Sequence, residues 1–427
     1  LTWSNTYTIE SGSQDKNFAG TDDAPSSPYY GRTYCVWSWF PVSAPWAAVS
    51  YTTNGGVSWS APAQINVPPA GHYSQGTDIR VGPNGEVYVC WAAPTSSSPF
   101  TEDYLGFAKS TNGGVNWTVT ENAYDMNGIR GTFSTKSGIR VNGFPRIDVD
   151  RSGGARNGWI YIVTAERNLA PAGSDPDIIL HRSTNGGVNW SAGVRVNQDA
   201  LNNGKYQYMP AIRVDETGGI NVVYYDDRQT SFTPSDSTDV YMSRSIDGGT
   251  TWTDVKISDA RFKPGPITGL AGGYQGDYIG ITSGNSKVWP VWADRRTGIY
   301  QLFTASVTVA NNPLNPFNLQ TPSAGVTLNS LPGGTTVYTA TWDTSALGSS
   351  YKWIFGSPNA TNRQITLPSG TNSINFTSGQ LDQILAGLGV AQGNQLVGQW
   401  DVWAFRPNPP QNDSLKAANG PRAITLR

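Results

Sequence analysis

The word STNGGVNW stands at residues 110–117 and again, letter for letter, at 183–190. Two looser copies are TTNGGVSW at 52–59 and SIDGGTTW at 245–252. Self-similarity at such an interval marks a chain built from repeated supersecondary units, so this word limits the possible folds more than any other feature. Its tryptophans, Trp59, Trp117, Trp190 and Trp252, are 58, 73 and 62 residues apart, as one unit with loops of variable length would place them.

The unit extends backward from the word. One run reads DIRVGPNG at 78–85, RIDVDRSGG at 146–154, IRVDETGG at 212–219 and YIGITSGN at 278–285. The next reads EVYVCW at 86–91, WIYIVT at 159–164, NVVYY at 221–225 and KVWPVW at 287–292. A third run, LGFAKS or VYMSRS, leads into the word, and a fourth follows its Trp. Alternating apolar runs closed by Gly-rich turns are short strands. Four such strands per repeat make the blade of a β-propeller, so the fold class is all-β.

Five units are counted, and a sixth has room only at 120–140. The first, roughly 15–66, is the most divergent. The fifth, 273–310, has three strands ending in YQLFTASVTV and lacks the word. TWSNTYTIESG at 2–12 aligns with NWSAGVRVNQD at 189–199, Trp3 on Trp190. The N-terminal strand is therefore expected to complete the last blade and remove its open edge.

The pattern [Ser/Thr]-x-[Asn/Asp]-x-Gly-x-x-Trp resembles the Asp-box, the bacterial neuraminidase repeat of sialidase-like propellers. The resemblance implies a hairpin turn between third and fourth strands, on the face opposite the active site. Asn54, Asn112, Asn185 and Asp247 are expected to fold back on backbone N–H groups. The Gly pairs admit positive φ, and each Trp packs under its hairpin. Blade 1, DKNFAGTDDAPSSPYYGRTYCVW at 15–37, resembles secreted bacterial proteins of sialidase-like type.

Any chemistry is then expected on the other face. Three second strands end in acid–Arg: Glu166-Arg167, Asp227-Arg228 and Asp294-Arg295. Arg167, Arg228 and Arg295 either clamp one substrate carboxylate, as a sialidase cluster does, or pair locally with acids and tie blade to blade. A sialidase also carries Arg-Ile-Pro near its first blade, an Asp acid/base and a Tyr nucleophile activated by Glu. Here Arg146-Ile147 is followed by Asp148, so that motif is missing. Asp15, Asp22 and Asp23 are candidate acids, and Tyr278 beside Asp277 is the candidate Tyr. A carboxylate pair for ordinary glycoside hydrolysis is open among Asp15, Glu166, Asp227 and Asp277.

Only two His (His72, His181) are present, which argues against a His-based zinc site or a Ser-His-Asp triad. Neither a metal nor a cofactor is expected. Cys35 and Cys90 sit in apolar runs and read as buried thiols, with a disulfide as the alternative. A net charge of -2 carries no basic patch for nucleic acid, and no apolar run is long enough for a membrane helix. The chain opens at Leu1 without Met, so a removed leader and an extracellular or cell-surface location are expected.

Composition shifts at ANNPLNPFN, 310–318, which divides the chain into a propeller at 1–310 and a second domain at 311–427. The second domain reads as strands plus a short helix at 377–390, with a capping box at Thr377 and Gln380 and a stripe of Leu381, Ile384, Leu385 and Leu388. Its order of elements resembles the immunoglobulin-like β-sandwich of starch-utilisation outer-membrane lipoproteins. Trp342, Trp353, Trp400 and Trp403 are candidates for stacking on sugar, although Trp400 and Trp403 must face opposite sides of one strand.

The leading expectation is a secreted or surface propeller that binds glycan or assembles with other extracellular protein, itself included, without catalysis. An exo-sialidase type of glycoside hydrolase and a structural subunit of an extracellular fibre or sheath are the alternatives.

Overall fold

The computed structural model describes residues 6–40, 44–230, 236–309, 314–345, 349–356, 363–405 and 414–427. The chain divides into two compact units, Leu1–Val309 and Ala310–Arg427.

Unit 1 is a propeller-like succession of antiparallel sheets. Sheet 1 holds β1 (Gln14–Thr21), β2 (Thr33–Trp39), β3 (Trp46–Thr52) and β4 (Ala63–Gln64), and sheet 2 holds β5 (Gln75–Val81), β6 (Val87–Pro94), β7 (Glu102–Ser110) and β8 (Thr118–Asp125). A two-stranded hairpin follows, β9 (Gly131–Phe133) and β10 (Ile139–Val141), its tip a single 3-10 turn at Ser134–Lys136. Sheet 3 is β11 (Arg146–Val149), β12 (Ile160–Glu166), β13 (Asp177–Ser183) and β14 (Val194–Arg195). Sheet 4 is β15 (Gln207–Val214), β16 (Ile220–Asp226), β17 (Asp239–Ser245) and β18 (Thr253–Lys256). In sheet 5, β19 (Gly280–Gly284) pairs with β20 (Lys287–Asp294), and β21 (Gln301–Thr304) and β22 (Val307–Thr308) lie end to end along the far side of β20.

Each first strand packs beside the next: β1 on β5, β5 on β11, β11 on β15, β15 on β19. Apolar faces of consecutive sheets meet, as where Tyr34, Val36 and Val49 of sheet 1 pack with Ile79, Val89 and Trp91 of sheet 2. Burying each such side chain contributes roughly 1.5–3 kcal/mol. Sheets 2, 3 and 4 are covered on both faces, so β6, β12 and β16 are buried along their whole length. In β20 burial alternates, and Val291 and Leu302 of sheet 5 are exposed. One face of sheet 5 is therefore open.

Residues 6–13 of the N-terminal segment do not fill that place. Among the described residues, 6–13 form no strand, and Ile9 packs beside Cys35, Trp37 and Trp59 of the first unit of repeat. Trp3 lies outside the described residues. Residues 120–140 hold the end of β8, the small hairpin and its connection, with no four-stranded sheet among them.

The repeated words form turns of one geometry between third and fourth strands. The N–H of Ser58, Asn116, Asn189 and Thr251 donates to the side-chain oxygen of Asn54, Asn112, Asn185 and Asp247 at 2.9–3.0 Å. The second glycine of each pair, Gly56, Gly114, Gly187 and Gly249, has φ between +83° and +89° and donates its N–H to the hydroxyl that opens the word. Three of these turns rest on the preceding sheet: Gly114 on Tyr34, Gly187 on Phe107 and Gly249 on Leu180. Trp252 is buried, and Trp117 and Trp190 are partly buried against apolar clusters. Cys35 and Cys90 are free buried thiols, with burial pushing the Cys35 thiol up to about 11.

Unit 2 is built of two sheets. The first orders β23 (Leu319–Thr321), β25 (Val337–Trp342) and β28 (Ser373–Thr377). The second orders β24 (Val326–Leu328), β31 (Arg422–Leu426), β29 (Leu396–Phe405), β26 (Ser350–Gly356) and β27 (Arg363–Ser369), with β30 (Ser414–Lys416) also on β29. Helix α1 (Ser378–Gly387) starts at N-cap Thr377, whose hydroxyl accepts from the Gln380 N–H while Gln380 reaches back to Thr377. Leu381 and Leu385 are buried and Ile384 packs beside them, but Leu388 falls at the C-cap and is exposed. Trp342, Trp353 and Trp400 are core residues of this unit, so they offer no face to a sugar. Trp403, three along from Trp400, is half-buried. No helix among the described residues is long and apolar enough to cross a membrane.

Candidate binding pocket opposite the repeated turns

In a four-stranded antiparallel sheet, the turns between strands one and two and between three and four share one end. The repeated words occupy that end. The other end carries the starts of the first strands and the ends of the second strands. A cavity of about 280 Å³ opens there, lined by Asp15, Lys16, Gln75, Arg130, Gly131, Arg140, Val141, Asn142, Phe144 and Asp277.

Three first strands enter this region through the same irregularity. Pairing slips by one residue between Asp15 and Phe18, between Gln75 and Asp78, and between Tyr208 and Ala211. The residues inside the bulges, Lys16, Gly76 and Met209, have φ of 55°, 71° and 50°. A bulge re-aims a side chain that the regular pleat would send elsewhere. At Lys16 it buries the ammonium against Asp277, with the Tyr278 and Phe144 ring centroids at 5.1 and 5.5 Å. At the equivalent place a Cβ on Gly76 would overlap the Phe144 ring, so glycine is required.

Lys16 and Asp277 join the first sheet to the fifth, and Phe18 and Tyr278 do the same with rings 5.6 Å apart. Asp277 also faces Arg140 at 3.6 Å and Asn142 Nδ2 at 3.5 Å. Burial lowers the Lys16 ammonium pKa, and the Asp277 carboxylate opposes that shift. Asp15 accepts from Gln75 Nε2 at 2.8 Å. Arg130 donates to Gln75 Oε1 at 2.9 Å and lies over the rings of Tyr73 and Phe100 at 5.9 and 5.7 Å. Arg140 lies over Tyr274 at 4.8 Å and is exposed. Behind the wall, Arg146 is buried over Phe18 at 4.3 Å.

Of the sequence candidates, Asp15, Asp277 and Tyr278 meet here. Tyr278 is 48% exposed, and burial of the rest raises its phenol pKa rather than lowering it. Asp22 is instead a turn residue, accepting from Ala24 N–H and Ser27 Oγ, and Asp23 pairs with Arg151. Glu166 is buried between sheets 2 and 3, accepting from Thr164 Oγ1 and the Asn127 N–H, and burial pushes it up to about 7. Asp227 is buried against Lys136 at the tip of the β9–β10 hairpin.

The three arginines have no common centre. Arg167 is exposed, and its backbone is fixed by Asn127. Arg228 pairs with Asp226 and Asp254 and lies 4.4 Å over Tyr241. Arg295 lies 5.8 Å over Tyr300 and lines a separate cavity with Arg261, Lys263 and Arg296. The register also corrects the acid–Arg alignment. The residues that end the second strands are Glu166, Asp226 and Asp294; for the two aspartates the partner stands two positions on, whereas two on from Glu166 is Asn168. Arg296, not Arg295, pairs with Asp294, and it lies 4.1 Å over Phe303 as Arg228 lies over Tyr241. Adjacent acid and base share a dipeptide but point apart on a strand; residues two apart share a side.

Sequence reasoning missed Lys16, Gln75, Arg130, Arg140, Asn142 and Phe144. The available signal was position: all six lie before or at the start of a first strand or in the stretch between two repeats. Among the described residues no group of three or more His, Cys, Asp or Glu is placed to hold a metal ion.

No protein-family model matches the chain, and no curated protein matches it in sequence. Solved structures do resemble it. A protein of unknown function from Dyadobacter fermentans shares 14% identity over 69% of this chain and 79% of its own, with a TM-score of 0.44. An α-L-arabinanase of Penicillium chrysogenum, solved with arabinobiose, shares 12% over 85% of this chain and 94% of its own, with a TM-score of 0.44. A Hadza microbial sialidase shares 11% over 69% of this chain and 66% of its own, with a TM-score of 0.34. At such identities, what those proteins act on says nothing of this chain.

Proposed function

We propose that unit 1 is a five-bladed propeller of the Asp-box type, secreted or held at a cell surface, that binds a glycan bearing an anionic group in its central pocket and does not cleave it. Unit 2 is proposed as an immunoglobulin-like module that presents the propeller or joins it to other extracellular protein. The single observation that carries the binding reading is the state of Asp277. Lys16, Arg140 and Asn142 hold it together, so it is neutralised as a charge and engaged as a hydrogen-bond acceptor. Arg130 adds a further cation to the same walls, so Lys16, Arg130 and Arg140 outnumber the carboxylates of Asp15 and Asp277. With Asp277 engaged and the Tyr278 phenol raised, the pocket favours capture of an anion over acid–base work.

A glycoside hydrolase of sialidase type is the second reading, favoured by the meeting of Asp15, Asp277 and Tyr278. Calorimetric titration with galacturonate, N-acetylneuraminate and neutral galactose tests the first reading: the acids are expected to bind and galactose not to. Release of fluorophore from a sialoside by the full chain, lost in Tyr278→Phe, would establish the second in its place.

A further inference from the structure

Glu102 opens β7 and is completely buried behind Arg130. Its surroundings are shaped for a carboxyl group. A Cβ on Gly128 would overlap the Glu102 carboxylate, and one on Gly143 would lie 2.6 Å from Oε2. Both glycines follow an asparagine, in NGI at 127–129 and NGF at 142–144. The Gly143 N–H donates to Oε2 at 2.7 Å. Oε1 has no hydrogen-bond partner and faces Arg130 at 3.8 Å. A buried carboxylate with one donor and one offset cation is incompletely compensated, and such a group readily takes up a proton.

Arg130 does not depend on Glu102 for its place. Gln75 and the rings of Tyr73 and Phe100 hold it from other directions. What Glu102 alters is the charge that Arg130 has left for the pocket. We propose that an anionic ligand enters the pocket together with a proton that settles on the Glu102 carboxyl, so that Glu102 couples binding to acidity. This rests on the reading of the pocket as a site for an anionic sugar.

The groups that face Glu102 agree with this direction. Arg130 comes from the segment after β8, Glu166 from the end of β12, and Lys16 from the bulge of β1; Tyr73 lies on the far side of Arg130. Burial and the neighbouring Glu166 raise the Glu102 carboxyl to about 7, while Arg130, Lys16 and the Gly143 N–H pull it down. A ligand carboxylate on Arg130 weakens the first of the pulls that keep Glu102 ionised, and adds one more negative charge nearby.

Galacturonate and N-acetylneuraminate stay ionised across the range, so they serve as probes. Titration calorimetry of the full chain in buffers of different ionisation enthalpy counts the protons taken up. Uptake of a fraction of a proton near neutral pH is expected, with affinity about tenfold higher near pH 5.5 than near pH 8.5. Glu102→Gln should abolish uptake and flatten the profile, whereas Arg167→Ala should leave both as in the parent. Binding without proton uptake, at constant affinity, overturns the coupling alone. Absence of binding at every pH overturns the site and the coupling with it. The parent measurement decides the matter even if Glu102→Gln folds poorly.

Discussion

Lys16 and Asp277 lie 261 residues apart in sequence and form a buried ion pair that joins the first strand of sheet 1 to the start of sheet 5. This contact and the Phe18–Tyr278 ring pair bring the two ends of the succession together, with no strand shared between sheets 1 and 5 among the described residues. Taking one member from a buried pair leaves an uncompensated charge and costs about 3–5 kcal/mol, while replacing both with apolar residues costs far less.

Asp277→Ala is therefore expected to destabilise more than Lys16→Met. The first strands the ammonium; the second leaves Asp277 with Arg140 and Asn142. The double variant Lys16→Met/Asp277→Leu should recover part of the loss. Urea unfolding followed by hydrogen exchange checks both points: protection should fall in β1 and at 277–284 together. A loss confined to one of the two segments would show that the pair does not join the ends.

The glycines of the repeated turns permit a controlled comparison. Gly56 and Gly187 have nearly the same φ, +89° and +88°, but a Cβ on Gly56 meets nothing within 4 Å, whereas one on Gly187 overlaps the Phe107 ring. Alanine at Gly56 should cost about 1–2 kcal/mol, the backbone strain alone. Alanine at Gly187 should cost roughly 1–3 kcal/mol more, because Phe107 must shift in a packed core. Equal melting temperatures for the two variants would mean that the turn of sheet 3 does not bear on sheet 2.

The repeated word was a good guide because its information is local. Hydroxyl, amide, glycine pair and tryptophan all act within one hairpin, and strand alternation beside them is equally local. The α1 cap at Thr377 was legible for the same reason. The pocket was not, because its parts are set by long-range packing. Lys16 reads as an ordinary strand lysine until a bulge with positive φ turns it inward. Arg130, Arg140 and Asn142 belong to a stretch that follows no repeat. The acid–Arg alignment failed by one position, since DDR does not reveal which acid ends the strand and ADRR does not reveal which arginine pairs with its acid.

The arginines offer a functional test of that correction. Arg167→Ala and Arg295→Ala remove side chains that have no carboxylate partner among the described residues, so stability should change by about 0.5 kcal/mol or less and galacturonate binding should be unaffected. Arg228→Ala leaves Asp226 buried without its cation and should cost several kcal/mol, about 3–5, again without touching the pocket. Arg140→Ala should spare the fold and weaken binding. If Arg167→Ala or Arg295→Ala weakened binding as much as Arg140→Ala, the ligand would lie elsewhere on this face.

Stability against pH follows from carboxyl groups shifted in opposite directions. Burial raises Glu102 and Glu166 to about 7 and Asp226 to about 6. In the unfolded chain such groups lose their protons near the ordinary carboxylate range, so between there and neutrality the folded state holds protons that the unfolded state has released. Their contribution is complete below about pH 4.5 and is lost as pH rises through 7, on the order of 3 kcal/mol for each glutamate. Asp247, held down to about 2 by N–H and hydroxyl donors of its own turn despite some burial, acts the other way: its contribution is present above the ordinary aspartate range and lost as pH falls toward 2. Stability should therefore peak in mildly acidic solution and decline toward pH 8. Glu166→Gln, which keeps an acceptor for the Asn127 N–H and can donate its amide N–H to the Thr164 hydroxyl, should flatten the alkaline decline and match the parent near pH 5. Denaturant midpoints across pH 4 to about 9 measure this, and a parent profile that rises toward alkaline pH would contradict it.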